Sequence, residues 1–267
     1  MSEQQPKKVH GIVAMLDALG VRDATTEEAF KFLSDFREIE KEALKDQLAL
    51  LAVLPTSYGN LYNEETFRTY SFGDTVVLVW EIQPTPTGDH LKALMVMGAV
   101  LSEMIIKGLS RGLRLRGAVS IGEMVRDDRS VLGPVITDLA SWYDAADFMG
   151  VVVTPTCGQH LSYIGANNGQ PVSGGEGEAV LTWDWCFQSY DVPVKNNSAR
   201  RLWVVNWPHL IKALNKNRNP LDWYFDQTRK LSIPAGTETK YDNTEKFVVE
   251  MIKRPALRTS ATGATSL

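Results

Sequence analysis

Cysteine is scarce in this chain, with two in 267 residues, Cys157 and Cys186. Neither belongs to a C-x-x-C pair, which excludes a metal knuckle or a dithiol redox motif. Two isolated thiols fit a reducing compartment. An excess of basic residues is also missing. Lys and Arg total 28 against 32 Asp and Glu, for a net charge of −4. A general nucleic-acid binder would need a basic face to displace counterions, so that class is set aside. Nucleotide binding through metal ions remains compatible with the charge. The N-terminal MSEQQPKK has no apolar signal core, and no apolar run reads as long enough to span a membrane. The expectation is a cytoplasmic protein with no nucleic-acid partner and no direct membrane binding. The four histidines, His10, His90, His160 and His209, show no metal-ligand spacing.

Apolar residues are present at 44% and charged residues at 22%, enough for a sizeable core. Val9, Ile12, Val13, Met15 and Leu16 predict a strand over 9–18 that is buried on both faces. Thr25 and Glu28 form a capping-box pattern, and Phe32, Phe36, Ile39 and Ala43 follow at helical spacing, so a helix is expected over 26–52. Strands near 66–72 and 75–82 are separated only by Gly73-Asp74, which is turn chemistry. A helix over 90–110, a strand over 113–123, a helix from Pro134 to about Asp147 and a strand over 151–156 come next. Beyond these the pattern weakens through a Gly-rich loop at 165–178. A strand at 201–207 and helices near 208–216 and 243–253 complete the reading. Residues 1–8 are expected to be a flexible tail, 9–255 one domain with a C-terminal elaboration over about 156–255, and 256–267 a disordered tail. The order β-α-β-β-α-β in the first half is that of a ferredoxin-like α+β fold.

Asp17 ends the first predicted strand, and Asp74 sits at the tip of the hairpin formed by the next two. In a ferredoxin-like sheet the first strand is central and lies beside the third, so the two carboxylates can converge. Taken singly, each is a common turn residue. Together they would repel one another unless a cation joined them, and oxygen-only ligands suit Mg²⁺ or Mn²⁺ arriving with substrate phosphates. In "DALGVR", residues 17–22, the glycine in a tight turn after a strand can expose backbone N–H groups to phosphate oxygens. The P-loop pattern is absent.

Four segments carry a resemblance. "AMLDALGV" is similar to the F-x-D-[IV]-x-G-F segment of class III nucleotidyl cyclases, and "YSFGDTVVLVWE" to their second metal-aspartate hairpin. "LRLRGAVSIGE" resembles their following strand, and "LGPVITDLASWYDAAD" lies where they carry a helix with a transition-state Asn and Arg. Within that superfamily, "RGAVSIG" and "GPVITDLA" resemble the bacterial Pycsar pyrimidine cyclases of antiphage defence. The resemblance covers about residues 9–155. It implies a cyclase catalytic domain, with a central mixed, mostly antiparallel sheet flanked by helices. It further implies cyclic UMP or cyclic CMP made from UTP or CTP, and a product that activates a separate effector.

By the same resemblance, Asp17 and Asp74 match the metal aspartates, which hold two Mn²⁺ or Mg²⁺ ions per site, and Ala18 lends a backbone carbonyl. Gly20, Val21 and Arg22 would contact the triphosphate. Tyr70 stands where a base-reading lysine lies in adenylyl cyclases and would help enclose a pyrimidine. Read from the residues alone, it is an ordinary strand aromatic. A homodimer with active sites at the interface is implied, one subunit giving the aspartates and the other Tyr70 and the arginine. The Asn and Arg positions hold Thr137 and Ser141. Arg116, with Arg114, is the candidate to stabilise charge on the α-phosphate, and a structural ion pair is the competing reading for Arg116. Thr137 faces the base or caps locally. The preferred expectation is a uridylate cyclase; the alternatives are a cytidylate cyclase and a catalytically inactive nucleotide sensor or dimerisation module.

Overall fold

The computed structural model describes residues 5–19, 25–52, 66–82, 88–159, 183–195, 198–214, 218–231, 233 and 235–254. The opening strand, β1 (Lys7–Ala18), starts two residues before the expected strand. Helix α1 (Thr26–Ala52) opens with the predicted box: Thr25 N–H donates to Glu28 Oε2 at 2.8 Å, and Glu28 N–H donates to Thr25 Oγ1 at 3.3 Å. Its Phe32, Phe36, Ile39 and Ala43 are all buried, as the spacing requires. Strands β2 (Phe67–Phe72) and β3 (Thr75–Glu81) pair antiparallel across a two-residue loop. Gly73 takes φ 63° there, a conformation open to glycine at little cost. Helix α2 (Gly88–Ser110) and strand β4 (Leu115–Arg126) complete the first half.

The sheet order is β2-β3-β1-β4 and then β6 (Val151–Val153), β8 (Ser198–Val205) and β7 (Phe187–Val194), with the short β5 (Val131–Leu132) paired to β4. Only the β4–β6 pair is parallel among the described strands. This is an α+β fold with a mixed, mostly antiparallel sheet and helices against it, and the expected class holds. The central place of β1, between β3 and β4, is the ferredoxin-like arrangement.

Directly opposed residues share a face of an antiparallel sheet. One face of the first four strands therefore carries Asp17, Met15 and Val13 of β1. Beside them lie Thr75, Val77 and Val79 of β3, and Arg116, Ala118 and Ser120 of β4. The short helix α3 (Pro134–Ala140) lies on this face, with Asp138 bonded to Ser120. Helices α1 and α2 cover the other face, where Glu40 of α1 accepts from Thr69 of β2.

Three expectations need correction. Helix α3 ends at Ala140 rather than near Asp147. The backbone beyond it is taken by β7: Asp147 N–H donates to Pro193 O at 2.8 Å and Lys195 N–H to Ala145 O at 3.2 Å. The strand expected over 151–156 stops at Val153, because Pro155 opens a helical turn, α4, over 155–159. An apolar run of membrane length does exist. Ala93–Ser110 in α2 has a mean hydropathy of 1.6 over 18 residues, but 83% of it is buried inside the protein, as a core helix would be.

The C-terminal part joins the same core. After a helical turn, α5 (Trp183–Cys186), and the β7–β8 hairpin come α6 (Trp207–Leu214), α7 (Pro220–Thr228) and α8 (Glu238–Lys253). The ring of Phe247 in α8 lies 5.1 Å from Phe148, 5.1 Å from Tyr190 and 6.0 Å from Trp207. The Gly-rich stretch 165–178 and the tail 256–267 lie outside the described residues.

Candidate active site

Asp17 is the last but one residue of β1, and its Cα partners are Thr75 of β3 and Arg116 of β4. The register thus sets the carboxylate at one end of the sheet, beside the β2–β3 turn. The next residue, Ala18, donates its backbone N–H to the carbonyl of Asp74 at 3.3 Å. Two acidic residues 57 positions apart are held on adjoining backbone by this contact. Ala18 is buried, and Asp74 is half-buried at the hairpin tip.

Arg116 completes the group. Its Nε donates to Asp17 Oδ2 at 2.9 Å and its Nη2 to the same oxygen at 2.8 Å. Nη1 donates to Asp144 O at 3.1 Å, in the turns after α3. Asp17 and Arg116 are each 8% exposed. A charge pair so buried is held tightly, because losing either partner would strand the other charge away from water. The structural ion pair weighed for Arg116 is therefore present, and it corrects the expectation that the arginine reaches the aspartates from the partner subunit: strand register puts Arg116 beside Asp17 of its own chain.

The remaining expected site residues are spread more widely. Gly20, Val21 and Arg22 lie outside the described residues. Tyr70 is 6% exposed, and its hydroxyl donates to Asp127 O at 2.8 Å within the chain. Burial, the larger influence, pushes its phenol above the ordinary value, against the opposing charge of Arg126. Thr137 is exposed on α3 and turns its hydroxyl back onto Gly133 O at 3.3 Å, while Ser141 does the same to Thr137 O at 3.0 Å. The Arg114 guanidinium lies 5.9 Å from the ring centroid of Tyr241 in α8, a cation–π contact.

One inward residue of α3 was not picked out by the sequence. Asp138, next to Thr137, accepts from Ser120 Oγ at 2.9 Å and from Thr156 Oγ1 at 3.3 Å. Ser120 in turn accepts from Thr154 Oγ1 at 2.9 Å. Ser120 and Thr154 are buried, and their hydroxyls are satisfied through this chain to the carboxylate. The helical position of Asp138, one step from an exposed threonine, was the available signal.

The donor set suits a hard divalent cation. Asp17, Asp74 and the Ala18 carbonyl offer oxygen only, and Oδ1 of Asp17 takes no part in the Arg116 pair. Among the described residues no three His, Cys, Asp or Glu side chains gather as a preformed metal centre would. Such a site would thus rely on substrate phosphates for its remaining ligands.

No family model matches the sequence, and no curated protein matches it in sequence. Solved structures do. The guanylyl cyclase Cya2 aligns over 77% of this chain and 94% of its own, at 12% identity and a TM-score of 0.41. The catalytic core of a rhodopsin-guanylyl cyclase with converted specificity, in complex with ATPαS, aligns over 76% and 98%, at 11% identity and 0.39. A class III adenylyl cyclase-like ATP-binding protein from Pseudomonas aeruginosa aligns over 60% and 37%, at 13% identity and 0.38. Likenesses this distant carry no argument about activity, and the fold class rests on the strand order itself.

Proposed function

We propose that this protein is a pyrimidine nucleotide cyclase, converting UTP to 3′,5′-cyclic UMP and pyrophosphate as a second messenger in Pycsar-type antiphage defence. The observation that carries this reading is the meeting of Asp17 and Asp74 on adjoining backbone, through the Ala18 N–H···O Asp74 contact. Four motifs in order along residues 9–155 support it, and the choice of UTP over CTP follows their likeness to the pyrimidine cyclases. The protein is proposed to work in the cytoplasm as a homodimer with two sites across its interface, its product acting on a separate effector.

In this reaction the ribose 3′-oxygen bonds to the α-phosphorus. The bond from that phosphorus to the bridging oxygen breaks, pyrophosphate leaves with the electron pair, and the hydroxyl proton passes to solvent. Asp17, Asp74 and the Ala18 carbonyl would hold Mn²⁺ or Mg²⁺, which supplies Lewis acidity to the 3′-oxygen and charge neutralisation to the triphosphate. The task left to the chain is positioning. Arg116, which donates two hydrogen bonds to Asp17 Oδ2, is assigned to the charge developing on the α-phosphate, since its forked donors fit phosphate geometry. Thr137 and Tyr70 are assigned to the nucleobase, and Gly20, Val21 and Arg22 to the triphosphate.

A second reading has its own observation. The hydroxyls of Thr137 and Ser141, where purine cyclases carry Asn and Arg, are spent on their own helix. That favours a chain which binds nucleotide without turning it over. Incubation with each of the four nucleoside triphosphates and Mn²⁺, followed by mass detection of cyclic product, separates the readings. Cyclic UMP is expected. Cyclic CMP alone would move the assignment to CTP, and binding without product would establish the sensor.

A further inference from the structure

The Asp17 carboxylate already has a cation. Arg116 brings two N–H donors to one oxygen, at 2.9 and 2.8 Å, and anchors its third nitrogen on Asp144 O at 3.1 Å. Both side chains are largely withdrawn from water, with 11% and 10% exposure. A guanidinium fixed at three points is a resident of this end of the sheet. It takes up the electrostatic role that a divalent ion would have there.

Arg116 holds Oδ2 and leaves Oδ1 to a metal, but the single negative charge of Asp17 cannot serve both cations at full strength. A dication brought to Asp17 also meets the guanidinium charge within a few ångströms, and repulsion at such range is large in a poorly hydrated site. A triphosphate changes the balance. Its oxygens accept the forked donors of an arginine in the same two-pronged way as a carboxylate. We propose that Arg116 guards Asp17: it keeps divalent ions off the carboxylate until an incoming triphosphate takes over the guanidinium. The proposal rests on the reading of Asp17 as a metal ligand.

The guard couples two binding events. Metal binds Asp17 well only when phosphate holds Arg116, and by linkage phosphate binds better when metal is present. Free Mn²⁺ or Mg²⁺ at ordinary concentrations then leaves the empty protein uncharged with metal. The same transfer would release Asp144 O, so the turns between α3 and β6 report on it.

The test uses the full chain without nucleotide, titrated with Mn²⁺ alone. Bound ion is read from loss of the free-Mn²⁺ electron paramagnetic resonance signal. Arg116→Gln is expected to bind Mn²⁺ about tenfold tighter than the unaltered protein, within the usual range of such couplings. Arg116→Lys keeps the charge but loses the two-pronged grip, and should tighten binding by a smaller factor, about threefold on the same scale. It also serves if the glutamine variant does not fold. Equal affinities in the unaltered protein and a folded Arg116 variant would overturn the guard while leaving Asp17 a metal ligand. Binding that Asp17→Asn leaves unchanged in every background would overturn both the guard and the metal reading of Asp17.

Discussion

The backbone of Ala18 touches the backbone of Asp74, N–H to carbonyl, at 3.3 Å. This contact joins the end of β1 to the β2–β3 turn, and the proposed site takes its two carboxylates from the residues on either side of it. Asp17→Asn and Asp74→Asn are each expected to lower cyclic-nucleotide formation by on the order of 100-fold, the cost of losing one charge-stabilising group. Their effects on folding should differ. Asp17→Asn leaves Arg116 buried beside a neutral partner and should cost about 3 kcal/mol. Asp74→Asn at the half-buried turn should leave Tm almost unchanged. Thermal melts beside mass-detected product formation check the pair, and product formation untouched by either change would end the cyclase assignment.

Tyr70 separates a structural from a recognition role. Losing its hydroxyl bond to Asp127 O should cost about 1 kcal/mol. If the ring also encloses the base, Tyr70→Phe will change KM for UTP beyond what the lowered Tm explains. The shared-site dimer makes a sharper claim. Mixing Asp74→Ala chains with Tyr70→Phe chains should give more activity than either parent at a UTP concentration where both are impaired, since one of the two sites of the mixed dimer keeps both side chains. Failure of every such mixture would remove the dimer from the account.

Ser120, Thr154 and Asp138 form a single hydrogen-bonded chain, so their energies will not add. Ser120→Ala alone leaves a buried Thr154 hydroxyl and the Asp138 carboxylate short of a partner, at about 1–3 kcal/mol. The double change Ser120→Ala with Thr154→Val should cost less than the sum of the two singles. Urea denaturation of the four proteins measures this.

The thiols give a pH test. Burial above all, helped by the Asp138 charge, pushes Cys157 up to about 12 from 9.0, and burial alone raises Cys186. Neither should react with a disulfide reagent at pH 8 until the protein unfolds. The sign of the linkage follows. Below pH 9 both states keep the Cys157 proton and its contribution to stability is whole. From about pH 9 to 12 the unfolded chain loses that proton and the folded one retains it, so stability falls. The slope is about 1.4 kcal/mol per pH unit for one thiol. Cys157→Ala should flatten the alkaline limb of the stability curve by that amount.

The legible parts of this fold were those written locally. Gly73-Asp74 between two apolar runs gives its hairpin by turn chemistry, and Thr25 with Glu28 gives the start of α1 by reciprocal bonds. The end of α3 was not legible, because its periodicity runs on through Trp142 and Tyr143 while the backbone is claimed by β7, some 50 residues later. Helix α7 was missed although Asn219-Pro220 is a capping pair, and Asn219 does accept from Leu221 N–H at 2.9 Å. At the site, the aspartates could be placed from strand order. That Arg116 would close on Asp17 depends on a register across 99 residues, and that Asp138 rather than Thr137 turns inward depends on the rotation of a seven-residue helix.

Strand β1 is hydrogen-bonded to a neighbour on each side, from Gly11 to Asp17 against β3 and from Lys7 to Ala18 against β4. Its amides will therefore be among the slowest in the molecule to exchange with deuterium, opening only when the whole sheet opens. The acidic end of the strand rides on that slow segment. In the proposed reaction any motion must come from side chains and from the connections around the strand, while β1 keeps the same footing throughout.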